Sequence, residues 1–110
     1  MNIENDCVQL GKTGIEISAL GTGAWSWGDK MVWGYGSGYS ESDVREAYDA
    51  TLEGGINFID TAEMYGQGQS ERLLGKFVNS NGRRPVVATK FAPLPWRLTR
   101  GRLTVALRSS

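Results

Sequence analysis

Between Ile56 and Lys90 the chain alternates two kinds of pattern, and this alternation restricts the fold more than any other feature. The run Ile56-Asn57-Phe58-Ile59 stops on Asp60, and the run Val86-Val87-Ala88-Thr89 stops on Lys90. Neither shows the strict polar alternation of a half-solvated strand, as expected where both faces are covered. Between them Leu73, Leu74, Phe77 and Val78 recur at helical spacing, in a helix that begins at Ser70 and ends at Asn81-Gly82. Asp60 and Lys90 are thirty positions apart, close to the ~30 residues of one strand–helix–strand crossover. Such a unit builds a parallel sheet, so the expected class is α/β.

The preceding residues extend the same order. Ser40 and Asp43 form a capping box, and Val44, Ala47, Tyr48, Thr51 and Leu52 supply an apolar helix face that Gly54-Gly55 terminates. Ahead of that helix, the Gly-broken run Ala19 to Trp25 predicts a strand ending near Gly23. Residues 26–39 are too rich in glycine and aromatics for a regular element. Val8 and Leu10, then Ile15 and Ile17, alternate about Gly11-Lys12-Thr13-Gly14 and predict a β-hairpin. After Pro85 and the third strand, Phe91 to Trp96 reads as loop. Thr99 to Arg108 reads as a helix whose apolar face is Leu103, Val105, Ala106 and Leu107. At 110 residues the whole is expected to form part of one domain.

Charge and cysteine narrow the function. The 12 basic and 12 acidic residues balance overall, but seven of the bases and none of the acids follow Gly82. Those bases are spread out with no interleaved aromatic platform, so a helix and loop separated from their acidic neighbours is the expectation, and nucleic acid is not an expected partner. The single cysteine, Cys7, allows no internal disulfide and no thiolate metal site, and a reducing compartment, the cytoplasm, is expected. No membrane-spanning run or leader-like start is present in the sequence. Histidine is absent, which removes imidazole ligands and every histidine-based acid, base or triad from this chain.

What remains is the sheet edge. Neighbouring strands lie about 4.8 Å apart, so adjacent strands ending on Asp60 and Lys90 bring a carboxylate and an ammonium together, with Tyr65 close behind. Ligands sit at the carboxyl edge of parallel sheets and barrels. A tyrosine is a poor proton donor at neutral pH, but a lysine ammonium beside it stabilises the phenolate, and an aspartate keeps that lysine charged and in place. Such a phenol can protonate a carbonyl oxygen as it gains negative charge. Each residue alone has a plainer role: a turn cap, a packed aromatic, a solvated charge.

Gly21-Thr22-Gly23-Ala24-Trp25, the run Gly54 to Gly66 with its Asp60-Thr61-Ala62-Glu63-Met64-Tyr65-Gly66 end, Ser70-Glu71-Arg72-Leu73-Leu74-Gly75 and Ala88-Thr89-Lys90 together resemble the N-terminal part of an aldo-keto reductase. The loop Trp25 to Trp33 and the stretch Lys90 to Trp96 resemble cyanobacterial and plastid members. The resemblance implies a (β/α)8 TIM barrel represented by its hairpin and about three βα units, NADPH as hydride donor, and a small-molecule carbonyl substrate. It implies that Asp60, Tyr65 and Lys90 are catalytic, three members of an Asp-Tyr-Lys-His tetrad with Tyr65 as general acid. Gly23, Ala24, Trp25 and Asp60 match positions near the nicotinamide of the cofactor. A complete barrel of this type needs about 250 residues, so residues 1–110 are expected to be the first part of one barrel domain. A sheet of this size has open edges and uncovered apolar faces, and the fragment alone is expected to be inactive, with no NADPH binding and little cooperative unfolding. Two rival readings are a non-catalytic NADP-binding subunit resembling potassium-channel β subunits, and a non-functional gene fragment. Gly34, Gly36 and Gly38 do not spell a nucleotide loop and predict a mobile lid. Trp25, Trp27, Trp33 and Trp96 are candidates to line a substrate pocket over the barrel mouth, with packing as the alternative role for half of them.

Overall fold

The computed structural model describes residues 6–92 and 101–109. Cys7–Gln9 (β1) and Glu16–Ser18 (β2) pair antiparallel, with Val8 opposite Ile17. Thr22–Gly23 (β3), Phe58–Asp60 (β4) and Val86–Ala88 (β5) form a parallel sheet in the order β3-β4-β5. The strands are shorter than the apolar runs because the ladder extends only where register partners exist. β3 offers two, Thr22 opposite Ile59 and Gly23 opposite Asp60. Asp60 also lies opposite Ala88, so the three carboxyl ends finish level.

Two helices connect the strands. Glu41–Glu53 (α1) begins where the Asp43 carboxylate accepts the Ser40 N–H at 2.7 Å, and Gln69–Asn81 (α2) ends on Gly82 at φ +69°, a conformation that favours glycine. In α1 the expected face is buried at Val44, Tyr48 and Thr51 and half-buried at Leu52, but Ala47 is exposed. In α2, Leu73, Leu74 and Phe77 are buried and Val78 is half-buried. The helices touch through Arg45 Nη1, which donates to Ser80 Oγ at 2.9 Å, and through the Lys76–Glu41 ion pair.

The core gathers Ala24, Val44, Tyr48, Ile59, Leu73, Leu74 and Phe77 around Trp27. Trp27 meets the Tyr48 ring edge-on with centroids 6.4 Å apart, and Phe77 lies 5.4 Å from the same ring. Trp27 therefore belongs to the core rather than to a pocket wall, which puts it among the tryptophans that serve packing. Trp96 lies outside the described residues.

The hairpin is fastened at the amino end of β4. Asn57 Oδ1 accepts the Ser18 N–H at 2.7 Å, and the Asn57 N–H donates to Ser18 Oγ at 3.1 Å. That end is opposite the one carrying Asp60. Among the described residues the last helix is Arg102–Ser109 (α3), and of its four expected apolar contacts only Ala106 is buried, while Leu103, Val105 and Leu107 are exposed. Thr99 and Arg100, its expected start, lie outside the described residues. β3 and β5 are edge strands among the described residues, and Val87 on β5 is exposed.

Candidate active site

Asp60 ends β4 because the apolar ladder that buries Ile59 runs out one residue later. β5 stops at Ala88, so Lys90 follows the strand by two residues instead of ending it, and its side chain reaches back across the edge. Lys90 Nζ donates to both Asp60 carboxylate oxygens at 2.9 Å and to the Thr61 carbonyl at 2.8 Å. The same ammonium lies 5.2 Å from the centre of the Tyr65 ring. The hydrogen bond and charge of Asp60 push the Lys90 ammonium above its ordinary range against a smaller desolvation effect, and Tyr65 adds to the rise. Lys90 therefore stays charged through neutral pH.

Tyr65 is placed by a turn rather than a strand. Its N–H donates to the Ala62 carbonyl at 3.1 Å, and a 3-10 turn, Tyr65–Gly68, leads into α2. Gly66 and Gln67 both have left-handed backbone, at φ +58° and +57°. For Gln67 that conformation is strained. The turn is pressed against the loop that follows β3: a Cβ on Gly66 would stand 2.7 Å from the Gly28 carbonyl oxygen. This close approach brings Trp25 alongside Tyr65, the rings stacked at 25° with centroids 6.1 Å apart, and Trp33 meets Trp25 edge-on at 5.8 Å. Both indoles are half exposed.

Beneath the edge lies a buried hydroxyl chain. Ser70 Oγ donates to the Ala24 carbonyl at 2.9 Å and is hydrogen-bonded to Thr61 Oγ1 at 2.7 Å. Ala24 in turn donates its N–H to the Asp60 carbonyl at 2.8 Å. Ala24 is fully buried, so its contribution to the edge is through the backbone. Gly23 has open space where a side chain would stand. Among the described residues no cluster of histidine, cysteine or acidic side chains could hold a metal ion.

Residues 19–110 match the model of the aldo/keto reductase family. The chain belongs to the aldo-keto reductases. It is 44% identical to the chloroplastic pyridoxal reductase of Arabidopsis thaliana over 87% of this chain and 29% of that protein. It is 35% identical to pyridoxal 4-dehydrogenase of Microbacterium luteolum over 77% of this chain and 23% of that protein. The thermostable aldo-keto reductase Tm1743, solved in complex with the inhibitor epalrestat, superposes with a TM-score of 0.71 at 32% identity, covering 93% of this chain and 36% of that one. The chain thus spans under a third of the length of these two curated relatives. As an aldo-keto reductase it presents the first part of a TIM barrel, with the hairpin, three strands and their helices in place and the barrel unclosed.

Sequence reasoning brought Asp60, Tyr65 and Lys90 to one edge, and the structure assembles them there. It did not identify Thr61 and Ser70 as partners. Ser70 was read as a helix start, whereas α2 begins one residue earlier and the Ser70 hydroxyl turns inward. The available signal was a hydroxyl directly after Asp60 with a second in the first turn of the next helix. The Gly28–Gly66 approach left no comparable trace.

Proposed function

We propose that this aldo-keto reductase chain carries the acid half of a site that reduces an aldehyde or ketone to an alcohol with NADPH, in a reducing compartment such as the cytoplasm. The reading rests on one observation, the Lys90 ammonium held on Asp60 and poised over the Tyr65 ring. Tyr65 acts as general acid: its hydroxyl donates to the carbonyl oxygen of the substrate as that oxygen gains charge. The adjacent Lys90 ammonium stabilises the phenolate left behind, and Asp60 keeps Lys90 protonated and aimed. Gly23, Ala24, Trp25 and Asp60 border the space assigned to the nicotinamide, Ala24 through its backbone. NADPH, when bound, supplies the hydride to the carbonyl carbon. Two relatives bear names that refer to pyridoxal, so an aldehyde on an aromatic ring is the substrate class to try first.

The test is a barrel in which this chain replaces the matching residues of the Arabidopsis pyridoxal reductase. NADPH consumption with pyridoxal is followed for the parent and for Tyr65→Phe. Turnover falls about 10²- to 10⁴-fold in the variant, the range set by general acid catalysis, while NADPH affinity is retained. Undiminished turnover would remove Tyr65 from the acid role. A parent that binds NADPH yet reduces neither pyridoxal nor simple aldehydes would favour the non-catalytic subunit.

A further inference from the structure

We propose that the cavity between the loop after β3 and the first turn of α2 binds a phosphate-type anion, at a place distinct from the Lys90–Asp60 pair. The cavity measures about 430 Å³, with Gly28, Asp29 and Lys30 on one wall and Gly66, Gln67 and Arg72 on the other. Its floor is tight: besides the Gly66 approach, a Cβ on Gly28 would stand 2.7 Å from Gln69 Cβ. One wall contact is backbone on backbone and the other is backbone against the Gln69 side chain, so close packing shapes the recess before any ligand arrives.

The charge of the lining is uneven for a structural reason. Asp29 is the acid in the wall, and its Oδ2 is turned back into its own loop, accepting the N–H groups of Val32 and Trp33 at 2.9 and 3.0 Å. Glu71, the acid beside Arg72 in sequence, accepts the Thr89 hydroxyl at 2.6 Å. The Arg72 guanidinium is oriented by neutral acceptors, Gln69 Oε1 at 3.1 Å and the Gln67 carbonyl at 3.3 Å. Among the described residues neither Lys30 nor Arg72 takes part in an ion pair such as Arg45–Asp49, Lys76–Glu41 or Lys90–Asp60. Two cations without carboxylate partners thus flank one recess, a fork and a point charge, the combination that suits phosphate. The volume exceeds that of a bare phosphate, so the natural ligand is a phosphomonoester, carried either by a nucleotide or by a phosphorylated carbonyl compound.

The probe is inorganic phosphate, titrated at constant ionic strength into the ¹⁵N-labelled barrel in which this chain replaces the matching residues of the Arabidopsis pyridoxal reductase, while the Arg72 Nε–H resonance is followed. The expected result is a saturable shift in the millimolar range. Arg72→Gln, read through the Gln67 amide, and Lys30→Gln each weaken binding about tenfold, and Lys12→Gln on the hairpin turn leaves it unchanged. No saturable shift, or equal weakening by Lys12→Gln, overturns the proposal. Adenosine 2′-phosphate and dihydroxyacetone phosphate, run as separate arms, assign the source: tighter binding of the first marks a nucleotide phosphate, tighter binding of the second a substrate phosphate. The readout does not involve Tyr65, so this proposal and the reductase reading stand or fall separately.

Discussion

The ammonium of Lys90 lies 2.9 Å from each carboxylate oxygen of Asp60 and 5.2 Å from the centre of the Tyr65 ring. An exposed ion pair of this kind adds little stability, and a cation over an aromatic face contributes about 0.5–1 kcal/mol at exposed sites. Its importance lies in placement. A side chain from beyond β5 is bound to the end of β4 and to the turn that follows, so three segments share one charge.

The first prediction concerns pH. The hydrogen bond to Asp60 raises the Lys90 pKa above the ordinary lysine value in the folded chain. A raised lysine contributes stability that is complete below its unfolded value and is lost as pH rises through the folded one. In the joined barrel, the difference in urea midpoint between parent and Lys90→Met should be constant from neutral pH to about pH 10 and should shrink above about pH 10.5. The pair is half exposed, so the corresponding difference in unfolding free energy stays below about 1 kcal/mol. A difference that grows with alkalinity contradicts the assignment.

The second concerns the buried hydroxyls. Ser70→Ala leaves the Thr61 hydroxyl and the Ala24 carbonyl without their shared partner. The expected cost is about 1–3 kcal/mol, read from urea unfolding of the joined barrel. Thr61→Val removes the other hydroxyl with little change in volume, and the double variant should cost less than the two singles added. Strict additivity would show that the two side chains act independently.

Gly66→Ala supplies the third. The added methyl meets the Gly28 carbonyl at 2.7 Å in a backbone conformation that disfavours alanine, and overpacking of this type costs about 1–3 kcal/mol. Because the contact also seats Trp25 against Tyr65, the indole emission should change along with stability. Normal stability with unchanged fluorescence would mean that the two loops are not pressed together.

The fourth separates stability from the site. Asn57→Ala unfastens the hairpin at the amino end of β4 by orphaning the Ser18 N–H. The joined barrel should lose about 1–3 kcal/mol while kcat for pyridoxal reduction stays within twofold of the parent, a difference of about 0.4 kcal/mol. A large fall in kcat without a loss of stability would connect the hairpin to the chemistry.

Periodicity and local chemistry were enough to place α2, the parallel order of the strands and the carboxylate at the end of β4. Each depends on contacts between residues near in sequence or on a repeat that a helix or strand imposes. They also placed Tyr65 and Lys90 at the same edge, since one crossover returns the chain beside its starting strand. Trp27 shows the limit: Trp25 and Trp27 are two positions apart in an irregular loop, and only the packing of Tyr48 and Phe77 decided that Trp27 is core while Trp25 faces the site.

By itself, then, the sequence determined the class of fold and the three side chains that meet at one sheet edge, because hydrophobic period and strand endings are local properties. Tertiary structure alone decided that Ser70 would bond Thr61, that Gly66 would press on Gly28, and that Lys30 would lie across a cavity from Arg72. Those relationships join segments with no common period, and close packing between loops leaves no repeating pattern along the chain.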